Sequence, residues 1–246
     1  MPSTRSTISE HDDRIRTPPL AGALAAITVG GYLLPGLAAA LPALRRPLGI
    51  EDRTADGRGY ALTFDDGPHA QGTPAVLDLL AQADVPATFF LVGEQIARNP
   101  SLAREIVAAG HTIGLHCQRH RNLLRLAPWQ VREDFARAQA AIEDAAGLSP
   151  TLYRPPYGVP NAAALLLAHE RRWRTLLWTH WGRDWERRAT PASIAERVTN
   201  GVSDGSVLLL HDADDYSAPD SWRRTAAALP VVLARLAERG LRAVAP

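Results

Sequence analysis

Lysine is absent: all 27 basic residues of the 246-residue chain are arginine. That excludes Schiff-base catalysis by a lysine amine and a phosphate-binding loop built on lysine. One cysteine, Cys117, leaves no intrachain disulfide and no thiolate cluster for zinc. Any metal site must therefore draw on histidine and carboxylate side chains. A surplus of charge is lacking as well. The 27 basic and 26 acidic residues give a net charge of +1, which argues against a nucleic-acid binder built on bulk positive charge. What remains, 46% hydrophobic and 22% charged residues, is the composition of a globular chain.

Residues 1–19 are polar, mixed in charge and rich in Ser, Thr and Pro, as in a disordered tail. Leu20 to Leu44 carry no charge and are mostly Ala, Leu and Gly. As one unbroken helix this run would reach roughly 37 Å, enough to cross a bilayer core of about 30 Å. The segment 20–46 is therefore expected to be a signal anchor that meets the membrane. A cleaved signal peptide is the alternative, with Arg14 and Arg16 before the run and Ala38-Ala39-Ala40 as its cleavage site. A helix packed on the domain is the third reading. Arg45 and Arg46 put basic charge on the far side too, so orientation is not set. The expected location is outside the cytoplasm, either membrane-anchored or secreted.

Residues 58–246 read as one domain in which short apolar strands alternate with amphipathic helices. Strands are expected at Tyr60–Phe64, Ala87–Val92, Thr112–Leu115, Leu152–Arg154, Thr175–Thr179 and Val207–Leu210, with Arg242–Ala245 closing the sheet. Thr73-Pro74 and Thr190-Pro191 each read as an N-cap followed by a first-turn proline. Gly110, Gly147 and Gly240 read as helix stops. Such an order implies a parallel sheet, either a barrel or doubly wound.

The polar residues that stand out follow strands: Asp65 and Asp66 after the first, His116 and His120 after the third, Arg154 and Tyr157 after the fourth. Asp184 and Trp185 follow the fifth, and His211 and Asp212 the next. In parallel β/α folds these strand ends share one face, where sites are assembled. Two adjacent carboxylates cannot both be buried and charged without compensation; a metal for one and an arginine for the other would supply it. His116 and His120, four apart, can present two imidazoles on one side of a helical turn. With one aspartate they make a set that leaves positions open for water and substrate and suits zinc, but also Fe(II), Co(II), Ni(II) or Mn(II). Of Trp178, Trp181 and Trp185, only one or two are expected to line a pocket.

Five segments in order, Thr63–Pro68, Gly110–His120, Arg154–Gly158, Asp184-Trp185 and Leu209–Asp212, resemble the motifs of the NodB-homology polysaccharide deacetylases, carbohydrate esterase family 4. The resemblance implies a distorted (β/α)7 barrel of α/β class and metal-dependent hydrolysis of acetyl groups on sugars. It implies Asp65 as general base, Asp66, His116 and His120 as ligands of one divalent metal, with zinc first, and Arg154 as the residue that orients the base. It further implies an oxyanion hole at the Tyr157 N–H, His211 as general acid tuned by Asp184, and an acetyl pocket lined by Trp185 and Leu209. The expected substrate is an N-acetylated glycan, peptidoglycan or chitin-like. The alternatives are an O-acetyl esterase or an amidohydrolase on a lipid-linked sugar or small amide, and a non-catalytic glycan-binding envelope protein. Two positions depart from the family pattern: Cys117 stands where Ser or Thr is usual, and Trp181 where Asp is usual.

Overall fold

The computed structural model describes residues 29–246. The polar tail and the first part of the apolar run, residues 20–28, lie outside the described residues. One sheet holds β1 (Ile50–Glu51), β2 (Tyr60–Asp65), β3 (Thr88–Leu91), β4 (Thr112–Leu115), β5 (Leu152–Tyr153), β6 (Arg174–Leu176), β7 (His180–Trp181) and β8 (Ser206–His211). Every pairing is parallel, in the spatial order β1-β6-β5-β4-β3-β2-β8-β7. The helices are α1 (Gly72–Ala83), α2 (Gly93–Arg98), α3 (Pro100–Ala108), α4 (Pro128–Ala146), α5 (Ala162–Glu170), α6 (Pro191–Thr199) and α7 (Ser221–Glu238).

The result is a curled half-barrel of the expected α/β kind. Its two edges, β1 and β7, are two residues each and were not foreseen. The chain between β6 and β7 spans the gap. Leu177 N–H donates to Glu51 O at 2.7 Å on one side, and Thr179 N–H donates to Val207 O at 2.9 Å on the other. The expected closing strand at Arg242–Ala245 is reduced to one parallel bridge, Tyr60 with Ala243.

Strand side chains alternate between two faces. Leu62, Phe64, Phe89, Leu115, Tyr153, Leu208 and Leu210 join the core under the helices. Ala61, Phe90, Leu152, Leu176 and Val207 fill the concave side. The Phe90 ring lies so close to Gly114 that a Cβ there would meet it at 2.5 Å, so β4 needs glycine at that point.

Two helices, α5 and α6, start on a side-chain cap. Thr190 Oγ1 accepts from Ser193 N–H at 3.2 Å, and Asn161 Oδ1 from Ala164 N–H at 2.9 Å. Thr73 is not the cap expected of it. It lies inside α1, where its hydroxyl accepts from His69 N–H at 2.7 Å and donates to the Asp212 carboxylate. His69 Nδ1 caps α1 instead, accepting from Gly72 N–H at 2.9 Å.

The expectation of one helix through Leu44 is corrected. Residues 29–33 are helical, but Leu34–Ala39, Pro42–Leu44 and Arg46–Leu48 are short 3₁₀ turns. Pro35 and Pro42 supply no amide hydrogen and end the α-helical ladder. The turns pack on the barrel: Ala38 is buried with Ile50 and Leu177. The Tyr32 hydroxyl donates to Leu126 O at 2.6 Å and accepts from Asn161 Nδ2 at 2.7 Å. Among the described residues, no helix is long and apolar enough to cross a membrane.

Candidate active site

Strand register explains why residues distant in sequence meet. Asp65 at the end of β2 is paired in register with His211 at the end of β8. Leu115 of β4 is paired with Tyr153 of β5, so the next residues, His116 and Arg154, leave the sheet side by side. Trp181 of β7 is paired with Leu209 of β8, which brings Asp184, three residues on, behind His211. All these ends point the same way because every strand is parallel.

Asp66, His116 and His120 converge. His116 Nε2 lies 3.5 Å and His120 Nε2 3.4 Å from Asp66 Oδ1. That oxygen is buried and has no hydrogen-bond partner, a costly state unless a cation completes it. Tetrahedral donors about 2.0–2.1 Å from one ion lie about 3.4 Å apart, so the spacing fits a shared divalent cation. His116 Nδ1 sits 2.8 Å from Arg154 O. A carbonyl only accepts, so Nδ1 carries the proton and Nε2 keeps its lone pair for a ligand. Burial lowers both imidazoles to about 3, which leaves them neutral at physiological pH. Burial, with added repulsion from Asp65, Asp212 and Asp184 and opposition from His211, pushes the Asp66 carboxyl up to about 7.

The expected helical turn between the two histidines is instead a loop. Cys117, buried, takes φ +68° there, and Asp66 takes φ +80°. Left-handed backbone at non-glycine residues is strained and persists only where the surroundings dictate it. Here α2 dictates part of it: Gly93 N–H donates to Cys117 O at 3.0 Å and Glu94 N–H to Gln118 O at 3.0 Å.

Asp65 stands on the other side of the pair. Arg154, fully buried, donates from Nη1 to Asp65 Oδ1 at 2.7 Å and to Thr63 Oγ1 at 2.8 Å, and from Nε to Leu176 O at 2.9 Å. The guanidinium also lies over the Phe90 ring, 4.0 Å from its centroid. Burial pushes the Asp65 carboxyl up while Arg154 and His211 pull it down, and the balance stays above the ordinary value. Opposite, His211 Nδ1–H donates to Asp184 Oδ1 at 2.9 Å, and the His211 backbone N–H donates to Asp184 Oδ2 at 2.7 Å. Thr225 adds a third bond to that carboxylate at 2.7 Å. Burial opposes a charge on His211, but Asp184, then Asp66 and Asp65, raise it to about 10.

Eight of the ten residues singled out from sequence line one cavity of about 240 Å³: Asp65, Asp66, His116, His120, Tyr157, Trp185, Leu209 and His211. Arg154 and Asp184 stand directly behind it, both fully buried. Trp178 and Trp181 line the cavity along with Trp185, so all three indoles face it, more than expected. Sequence reading also missed Thr63, Thr225 and Tyr216. Tyr216 stacks on His120 with centroids 4.6 Å apart, while Tyr157 meets the same ring edge-on at 4.4 Å. His120 Nδ1 has no polar partner, so these two rings hold the imidazole. No strand-end pattern marks Tyr216 or Thr225, which come from the loop and helix after β8. A second group, His69, Asp214 and Asp215, is close enough to share an ion. Its His69 Nδ1 accepts from backbone N–H groups, so Nε2 bears the proton, 3.5 Å from Asp214 Oδ1, and offers no lone pair.

The chain matches the polysaccharide deacetylase family over residues 52–175. It is similar to the peptidoglycan-N-acetylglucosamine deacetylase PgdA of Listeria monocytogenes, 34% identical over 180 residues. That match covers 73% of this chain and 36% of the Listeria protein, so the chain spans about a third of that relative's length. A chitooligosaccharide deacetylase of Bradyrhizobium is 35% identical over 205 residues, covering 80% of this chain and 92% of that protein. Among solved structures, a family 4 carbohydrate esterase from Streptomyces lividans in complex with acetate superposes with a TM-score of 0.68. It is 34% identical and covers 76% of this chain and 92% of its own.

Proposed function

Because the chain belongs to the polysaccharide deacetylase family, we propose that it is a metal-dependent hydrolase. Its substrate on this reading is the N-acetyl group of N-acetylglucosamine units in peptidoglycan or in chitin-like oligosaccharides. One observation carries the reading. The orphaned Asp66 oxygen faces two neutral imidazoles, with a clamped aspartate on one side and a charged histidine on the other.

Asp66, His116 and His120 would hold the cation, zinc first by donor set, which supplies Lewis acidity to the acetyl carbonyl and to a water. Asp65, fixed by Arg154, takes the proton of the attacking water. The raised carboxyl makes it a better base than a solvated aspartate. The Tyr157 N–H, on a residue held at φ +59°, donates to the developing oxyanion. His211, kept charged by Asp184, gives its proton to the departing amine. Trp185 and Leu209 enclose the acetyl methyl group.

On the peptidoglycan reading the reaction would take place outside the cytoplasm. We infer that the chain is exported with residues 29–48 retained, since Tyr32 and Ala38 are built into the barrel surface. The test of the activity is acetate release from N-acetylglucosamine oligomers by chelator-stripped protein before and after zinc is restored. Turnover should vanish on stripping and return with about one zinc per chain. Unchanged turnover in stripped protein overturns the assignment.

A further inference from the structure

His116 and His120 are joined by Cys117, Gln118 and Arg119, which form neither helix nor strand. A loop lacks the internal hydrogen bonds that fix a helix, so its shape must be set from outside. Helix α2 holds this one by its carbonyls, through the Gly93 and Glu94 N–H groups. Helix α4 holds it by an amide. Asp134 Oδ1 accepts from Gln118 N–H at 2.7 Å, and Asp134 Oδ2 accepts from Arg121 Nη2 at 3.0 Å. One carboxylate therefore grips the chain on both sides of His120.

We propose that Asp134 is a positioning residue of the metal site. Its carboxylate ties the loop to α4 so that both imidazoles face Asp66 before a cation arrives. The proposal rests on the reading of Asp66, His116 and His120 as metal ligands and adds the group that orders two of them in advance.

Three observations single Asp134 out. It is 4% exposed, and a carboxylate is costly to bury unless strong hydrogen bonds offset the loss of water. The other buried residues of α4 are Val131, Phe135, Ala138, Ile142 and Ala145, so packing alone gives no reason for an acid there. Asp134 does not line the catalytic cavity, so it acts through the loop and not on substrate. The two helices also close on the loop at one residue. A Cβ on Gly93 would meet Ala138 Cα at 3.2 Å and Gln118 Oε1 at 2.1 Å. Gln118 is thus seated between α2 and α4, its carbonyl bonded to Glu94 and its amide to Asp134. The neighbouring Cys117 thiol is a weak donor and offers little grip of its own.

The test measures zinc dissociation constants by chelator competition on the full chain, for the wild type, Asp134→Ala, Asp134→Asn and Glu133→Ala. Glu133 is the adjacent exposed acid, bonded to Arg137, and its removal deletes the same charge without touching the loop. Zinc should bind about tenfold or more weakly in Asp134→Ala, the size of loss seen when groups behind metal ligands are removed. Asp134→Asn keeps an acceptor for the Gln118 amide and should fall between that variant and the wild type. Glu133→Ala should bind as the wild type does. If Asp134→Ala fails to fold, Asp134→Asn carries the comparison, with binding weaker by about threefold or more. The urea midpoint of each metal-free protein is read alongside. A lower midpoint with zinc affinity unchanged makes Asp134 a purely structural residue and overturns the proposal. An equal loss of affinity in Glu133→Ala makes the effect one of overall charge and overturns it as well. A wild type that binds zinc but releases no acetate refutes the deacetylase reading alone, and the affinities still decide the role of Asp134. A wild type that binds no zinc overturns both.

Discussion

Each polar group at the site is set by its immediate neighbours, and the proposed roles are argued from those contacts. His211 is the clearest case. Burial alone would strip its proton, yet three hydrogen bonds focus Asp184 on it and hold the ring charged, at about 10. With His211 as the proposed acid, which works only while protonated, activity should persist below that value and be lost as pH rises through it. Asp184→Asn removes the charge that keeps the proton, so the basic limb of the kcat/KM profile should move to lower pH, with kcat down about a hundredfold. A basic limb that stays in place would contradict His211 as the acid. Asp65, Asp66, His116, His120, Arg154 and His211 were legible in the sequence because each follows an apolar strand within a dense motif. Tyr216 and Thr225 were not, since stacking on an imidazole or bonding behind a carboxylate leaves no local pattern. Trp178 and Trp181 were undervalued because a tryptophan beside a strand is usually core.

Elements with a clear pattern or clear bounds were legible. Helix α4 and strand β4 match their expected bounds, because a long amphipathic repeat or a bounded apolar run declares itself. The two-residue edges β1 and β7 are too short to show any period. Thr73 shows local chemistry overruled by tertiary contact. Its Thr-Pro pair looks like a helix start, but the buried Asp212 carboxylate takes its hydroxyl. Asp212 Oδ1 has no partner, and a Cβ on Gly67 would meet Oδ2 at 2.5 Å. Asp212 is therefore the post against which the Asp65–Pro68 turn is packed, and Thr73 is its only hydrogen-bonding side chain among the described residues. Thr73→Val should cost about 1–3 kcal/mol by leaving a buried carboxyl without its donor, measured as a lower urea midpoint. An unchanged midpoint would show that the post is held by other means.

At the scale of the whole molecule, the barrel and residues 29–48 form one unit. The apolar run reads from composition as a spanning helix, but two prolines and the pull of a half-open barrel fold its second half into turns. Composition could not reveal this, because the same Ala- and Leu-rich stretch serves a membrane or a protein groove equally well. If the segment is retained, intact-mass measurement of the exported protein should find Tyr32 still present; a mature N-terminus after Ala40 would refute retention. Parallel register then does the rest, delivering side chains from β2, β4, β5, β7 and β8 to one rim. The most direct test of that assembly is zinc content and acetate release measured together on the wild type and Asp65→Asn. The account predicts one zinc per chain in both proteins and acetate release, from N-acetylglucosamine oligomers, only in the wild type. Full turnover by Asp65→Asn, or zinc lost along with the Asp65 charge, would contradict it.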